Sequence, residues 1–316
     1  MTTTLDSAVD STDDSTQFGT RRLAGRLGAE LTGVDAADPT DESVAFVRTA
    51  LLQHRVVFLR DQHLDYDSQV AFAQRFGSLT LGHPTIPSPT GRPLLEEIDS
   101  TKGGPANKWH TDVTFVDRPP AFTLLHGVII PAVGGDTIWA NTVAAYDALP
   151  IELQELADRL RIVHTNAHDY AVPASRDESE NPLLQASRKQ FTSTVYKTEH
   201  PAVRIHPETG EKSLVLGGFA QSVVGLGPQA SRDLIRILQD YVTRPENTVR
   251  WQWRVGDLAI WDNRATQHVA VYDYGDAHRR GERVTVAGPV PVGPDGRQST
   301  PIEGDATAYY ATGATD

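Results

Sequence analysis

Helix-period and strand-period stretches alternate along this chain. Across residues 26–35 apolar and polar positions alternate up to a turn at Gly33, which predicts a short strand. Behind Asp41 and Glu42, whose carboxylates favour a helix start, Val44, Val47 and Leu51 recur at helical spacing. Residues 55–60 read as a buried strand and 67–76 as a second helix closed by Gly77. Strand patterns then dominate. Residues 121–130 predict a strand, 134–137 (GGDT) a tight turn, and Ile138 the start of the next strand. Pro150 at a first helical position, followed by Leu153, Leu156 and Leu160, predicts an amphipathic helix. Strands follow at 203–205 and 213–216, then a helix through Leu234, Ile237, Leu238 and Tyr241. Val249, Trp251, Trp253 and Val255 alternate with Arg250, Gln252 and Arg254, the period of a half-buried strand, before two more strands at 258–261 and 283–287. Many strands, Gly/Pro turns and few central helices predict a mainly β fold, a sandwich or jelly-roll barrel with flanking helices.

Three segments lack either period. Residues 1–19 are rich in Ser, Thr and Asp without a basic-then-apolar start, so they read as a disordered tail and not a secretion signal. Between 81 and 105 stand Pro84, Pro87, Pro89, Pro93 and Pro105, which break regular structure and mark a long loop leading to His110. Residues 166–199 are polar and aperiodic, the profile of a lid or an ordered insertion. The expected organisation is a tail at 1–19, one domain over 20–295 with site loops at 80–105 and 166–199, and a second tail at 296–316.

Composition removes several chemistries. The chain has no cysteine, so disulfides, thiolate catalysis and Cys-ligated metals are excluded, and a metal must be held by His, Asp or Glu. A net charge of −12, with no strongly basic run, disfavours nucleic acid and anionic membranes as partners. No apolar run approaches the roughly eighteen residues of a membrane span, which leaves the cytoplasm as the default location.

The stretch NKWHTDVTF (107–115) carries the first candidate chemistry. On a strand, His110 and Asp112 would point to one side of the sheet and converge. His63-Leu64-Asp65 has the same spacing, so the pattern does not select a site by itself. A third element lies at WDNRATQH (261–268), where a strand ends in an Asp-Asn turn and His268 begins the next. With His110 and Asp112 it makes two imidazoles and one carboxylate for one face of a metal, a set that suits Fe(II) with open positions for oxygen chemistry. Zinc could use the same three side chains to activate water. The trailing Arg279, Arg280 and Arg283 favour the first choice, because a guanidinium fork fits a carboxylate or a sulfate.

These motifs, with GGDTIWANT (134–142) and HPETGEKSL (206–214) in the same order, resemble the taurine dioxygenase/TfdA family of Fe(II)- and 2-oxoglutarate-dependent dioxygenases, and within it the bacterial alkylsulfatase branch. The resemblance runs from about residue 26 to 292. It implies a double-stranded β-helix (cupin-like) core and His110, Asp112 and His268 as iron ligands. It implies Thr137 and Arg279 as the holders of the distal carboxylate of the co-substrate 2-oxoglutarate, with O2 as second co-substrate. Arg283 matches the position that binds the substrate's anionic group, His83 a pocket histidine and Phe219 an aromatic wall. Where taurine dioxygenases place an asparagine and a tyrosine around the substrate amine, this chain has Ala106 and Ile86, which argues against an ammonium there. The expected partner is a small anionic organic substrate, best an alkyl sulfate ester, with a sulfonate, an aryloxyalkanoate or a secondary-pathway intermediate as alternatives. A homo-oligomer, dimer or tetramer, is also implied. A zinc hydrolase and a non-catalytic cupin-like binding protein are the rival classes.

Overall fold

The computed structural model describes residues 17–104, 106–168 and 181–310. Strands β1 (Gly19–Arg22) and β2 (Ala29–Thr32) pair as a hairpin. Helix α1 (Asp41–His54) is capped by the Thr40 hydroxyl, which accepts from the Ser43 N–H at 3.1 Å, with Asp41 and Glu42 in its first turn. Next come β3 (Val56–Leu59), α2 (Tyr66–Gln74), β4 (Leu95–Asp99), β5 (Phe122–Ile129) and β6 (Thr137–Asn141). Helices α3 (Thr142–Asp147) and α4 (Ile151–Ala157) precede β7 (Arg161–Thr165), and α5 (Pro182–Phe191) precedes β8 (Lys197–Pro201), β9 (Val203–Ile205), β10 (Lys212–Leu214) and β11 (Ala220–Val223). After α6 (Pro228–Val242) the described elements are β12 (Thr248–Trp251), β13 (Leu258–Asp262), β14 (Thr266–Ala270), β15 (Arg280–Val286), β16 (Thr300–Glu303) and α7 (Thr307–Tyr310).

Two sheets form the centre. One has the order β1-β2-β3-β13-β5-β15-β4 and the other β12-β6-β14, so neighbours far apart in sequence lie side by side, as a jelly roll requires. Alternation along β3 divides the large sheet. Val57 and Leu59 face outward to Val47, Leu51 and Phe72 of α1 and α2, while Phe58 faces inward to Trp139 and Trp251 of the smaller sheet. The Phe58 and Trp251 rings stack at 4.1 Å, which sets the two sheets against each other. A third sheet, β11-β7-β8-β16, closes one end with α3, α6 and the β9–β10 hairpin.

Several expectations change. Residues 107–115 are not a strand: His110 makes a single bridge to His268, and the chain then turns with Val113 at φ 53°. The segment 81–105 is not all loop, because β4 pairs with β15 inside it. Pro150 caps α4 from outside, at ψ 150°, rather than occupying a first helical position. The alternation at 249–255 ends as a strand at Trp251, and Val255 is 62% exposed, since chain between β12 and β13 must turn around Gly256 at φ 85°. Within 166–199, α5 and β8 are regular, and 169–180 lie outside the described residues. Residues 1–16 of the expected tail also lie outside them, whereas Gly19 already belongs to β1. Nor is the chain after 295 a tail throughout: β16 pairs with β8, and buried Tyr309 accepts at its backbone from the Leu81 N–H at 2.9 Å. No helix among the described residues is long and apolar enough to cross a membrane.

Candidate active site

The site forms where β14 meets the turn after β4. His110 and His268 exchange backbone hydrogen bonds of 3.0 and 2.8 Å, which brings their rings to 4.2 Å. Asp112 joins them by way of the turn rather than by strand alternation. Its Oδ1 lies 3.9 Å from His110 Nε2 and 3.7 Å from His268 Nε2, too long for hydrogen bonds. Ligand atoms each about 2.1 Å from one metal stand roughly 3–3.5 Å apart, so a few tenths of an ångström of closure completes the set. No other group of this kind occurs among the described residues. Val113 is a β-branched residue at positive φ, a strain of roughly 1–3 kcal/mol that concentrates at functional turns.

Surrounding groups orient His110 and Asp112 for metal binding. His110 Nδ1 donates to the Lys108 carbonyl at 2.8 Å, which makes Nε2 the lone-pair nitrogen. Asp112 Oδ2 accepts from the Thr123 hydroxyl at 2.8 Å, Thr123 accepts from Asn263 Nδ2 at 2.6 Å, and Asn263 Oδ1 accepts from Trp261 Nε1 at 3.0 Å. The Trp-Asp-Asn run thus orients the carboxylate. Burial raises the Asp112 carboxyl, but Arg283 and the two imidazoles overcome this and hold it well below the usual carboxylate range. Burial and the neighbouring His110 push His268 down to about 3, and burial also lowers His110. Neutral imidazoles and an ionised carboxylate are the protonation states a metal needs.

Behind the turn, His200 Nε2 donates to the Thr114 carbonyl at 2.7 Å and its Nδ1 accepts from the Ser299 hydroxyl at 2.6 Å. His164 Nδ1 meets the Thr114 hydroxyl at 2.9 Å. Tyr310 of α7 accepts from the Arg118 N–H and donates to Asp117. The segment beyond 295 therefore braces the metal turn.

In front of the metal set opens a cavity of about 300 Å³, lined by His110, His268, Thr137, Arg279 and Arg283. Arg279 Nε donates to the Gly135 carbonyl at 2.9 Å, and its guanidinium lies 5.8 Å from the Trp253 ring. Gly135 adopts φ 73°, and a Cβ there would come within 3.0 Å of Arg279 Cδ, so the second glycine of the GGDT turn is needed for both conformation and approach. Thr137 Oγ1 accepts from Trp253 Nε1 at 3.0 Å, leaving its proton to donate toward the cavity. This pair suits the distal carboxylate of 2-oxoglutarate.

Arg283 sits closer to the metal set than the sequence implies. One NH2 group of its guanidinium donates to Asp112 Oδ1 at 2.5 Å and the other pairs with Glu96. His83 and Phe219 do not line the cavity. His83 Nδ1 accepts from the Thr85 and Ile86 N–H groups at 3.1 and 3.0 Å, burial pushes it down to about 3, and its ring packs between Phe115 and Phe191. Phe219 packs edge-on against the His110 ring at 6.0 Å. Both belong to the aromatic wall that supports the site. Glu96, Leu125, Tyr274 and the α5 side chains Leu184, Arg188 and Phe191 line the cavity and escaped the sequence reading. The aperiodicity of 166–199 hinted at the last three; nothing in the pattern marked Glu96.

Comparison with known proteins agrees with this arrangement. The family model described as "Taurine catabolism dioxygenase TauD, TfdA family" matches residues 19–285. An alkylsulfatase of Acinetobacter baylyi is 51% identical over 282 residues, covering 89% of this chain and 88% of the relative. An alpha-ketoglutarate-dependent sulfate ester dioxygenase of Pseudomonas putida is 50% identical over 88% of this chain and 92% of its own length. The crystal structure of a taurine dioxygenase from Burkholderia xenovorans superposes with a TM-score of 0.79 at 41% identity, covering 93% of this chain and 98% of that one. With a family model matched over residues 19–285 and half-identical relatives covered over 88% and 92% of their length, the chain belongs to the TauD/TfdA dioxygenase family.

Proposed function

We propose that the substrate of this Fe(II)- and 2-oxoglutarate-dependent dioxygenase is an alkyl sulfate ester, cleaved oxidatively to an aldehyde and sulfate. The observation that carries the proposal is the cavity itself: a buried arginine beside the metal set, with Ile86, Ala106, Leu184 and Phe191 also in its lining. Neither Ile86 nor Ala106 offers a polar side chain to an ammonium, and the cavity carboxylates Glu96, Glu97 and Asp99 already pair with Arg283, Lys102 and His278 respectively. An apolar chain ending in an anion fits this lining. The names of the two half-identical relatives support the same class.

Bound Fe(II) and 2-oxoglutarate supply, with O2, the oxidising power to replace a substrate C–H by C–OH, releasing succinate and CO2. Thr137 and Arg279 hold the distal carboxylate of the co-substrate. Arg283 takes the sulfate and so fixes which carbon faces the metal set. The aliphatic side chains and Phe191 enclose the alkyl part and exclude water. Hydroxylation of the carbon that bears the sulfate gives an unstable species. Its C–O bond breaks with the electron pair leaving on sulfate, the hydroxyl proton is lost, and an aldehyde remains.

An anaerobic titration with Fe(II) and 2-oxoglutarate, followed by alkyl sulfates, alkanesulfonates and aryloxyacids, tests the assignment through the metal-to-ligand absorption band. An alkyl sulfate should perturb the band and, once oxygen is admitted, yield sulfate and succinate in equal amounts. Succinate formation without sulfate release would overturn the substrate class.

A further inference from the structure

The pairing of β4 with β15 sets Glu96 directly across from Arg283 in the strand register. Both residues are buried, both line the cavity, and their side chains form an ion pair. A carboxylate beside the arginine assigned to an anionic substrate is at first sight a competitor for that substrate. Its position suggests a use.

The charges near this end of the cavity can be followed one by one. Asp112 belongs to the metal set, and Arg279 and Thr137 serve the co-substrate end. Glu97 pairs with Lys102 and Arg280, Asp99 with His278, and Glu282 with Arg280 and Arg92. Arg188 of α5 also lines the cavity. Arg283 contributes one positive charge, and Glu96 cancels it without blocking the guanidinium edge now turned to Asp112.

We propose that Glu96 is a specificity-determining residue that restricts the anion held by Arg283 to a single negative charge, admitting sulfate monoesters and rejecting phosphate monoesters of the same chain. This inference rests on the alkyl sulfate reading and deepens it. The two esters have nearly the same shape, but above neutral pH the phosphate carries close to two charges. Its second charge lies a few ångströms from a buried carboxylate, where the effective dielectric constant is about 20, and this repulsion, on the order of a hundredfold to a thousandfold in affinity, is partly offset by the attraction of Arg283. Glu96 has a second effect. By tethering one side of the guanidinium it fixes the fork for the incoming anion.

Glu96→Gln separates charge from tether, because the amide oxygen still accepts from Arg283. With protein loaded anaerobically with Fe(II) and 2-oxoglutarate, the absorption band reports dissociation constants for hexyl sulfate and hexyl phosphate at pH 8. Wild type should favour the sulfate by at least roughly tenfold, and E96Q should narrow that ratio about fivefold or more, chiefly by binding the phosphate more tightly. A ratio unchanged in the variant overturns the role of Glu96. If E96Q does not fold, hexanesulfonate against hexylphosphonate on wild type decides, since equal binding of the two would also overturn it. Failure of the underlying substrate class has a separate signature: wild type would then not turn over hexyl sulfate at all.

Discussion

Two buried aspartates in this protein have the same kinds of neighbour and opposite uses. Asp112 lies among His110, His268 and Arg283; Asp262 lies among His206 and Arg264, with Glu208 beyond. At Asp262 every interaction is closed. His206 Nε2 meets Oδ2 at 2.9 Å, Arg264 donates through Nε and NH2 at 2.8 Å each, and the Arg264 backbone N–H adds another 2.8 Å contact. At Asp112 the two imidazole nitrogens stand 3.7 and 3.9 Å away and face a cavity. The first cluster is complete without a guest, whereas the second has its ligand atoms spaced for one. Residue types alone do not distinguish a tie from a site; the distances do.

The largest expected effect follows from breaking the open cluster. Replacing a residue around a metal's ligands typically costs 10- to 100-fold in affinity, so removing a ligand itself by Asp112→Ala should lower oxygen-dependent succinate formation by more than about 100-fold. The fold should survive, because Arg283 keeps Glu96 as a partner. Normal turnover in that variant would sink the metal assignment. Breaking the closed cluster should do the reverse. Asp262→Ala leaves Arg264 with Glu208 alone and strips His206 Nε2 of its partner, and should cost about 1–3 kcal/mol of stability, measured by urea unfolding.

The closed cluster also has a pH signature. Burial raises the Asp262 carboxyl, but Arg264 and the hydrogen bonds from Arg264 and His206 outweigh it and hold the group well below the usual carboxylate range. A folded-state pKa depressed in this way gives stability that is present above the unfolded value, near pH 4, and lost as pH falls further. Asp262→Asn should therefore be less stable at pH 7 and show a shallower loss of stability below pH 4. An unchanged acid limb would remove Asp262 from the account.

Much of this organisation can be read from the chain. The apolar run at 55–60 gave β3 as a buried strand, though only the packing shows which of its residues face which layer, and the metal set was legible because His110, Asp112 and His268 occur within extended motifs. Other parts depend on contacts that periodicity does not carry. Glu96 is a charged residue facing inward on an edge strand, and only the register against Arg283 explains it. The chain beyond 295 lacks a clear period because short β16 and α7 are held by tertiary bonds, such as the one from the Leu81 N–H to Tyr309. His83 and Phe219 were found in the right neighbourhood, but the packing of Phe115 and Phe191 determines that they back the site instead of lining it.

A third Asp with a histidine at the same spacing gives the smallest and most discriminating test. His63-Leu64-Asp65 repeats the His-x-Asp pattern of the site, yet His63 is exposed and Asp65 caps α2. The Asp65 carboxylate accepts from the Ser68 N–H at 2.8 Å, and the Ser68 hydroxyl in turn accepts from the Asp65 N–H at 2.9 Å, a reciprocal capping box. Asp65→Ala should cost about 1 kcal/mol, the usual worth of an N-cap, and leave Fe(II) binding unchanged. His63→Ala should change stability by less than about 0.5 kcal/mol, as expected for an exposed side chain away from the packing. Loss of metal binding in either variant would mean that the spacing itself, and not the meeting of His110 with His268 across the β14 bridge, makes the site.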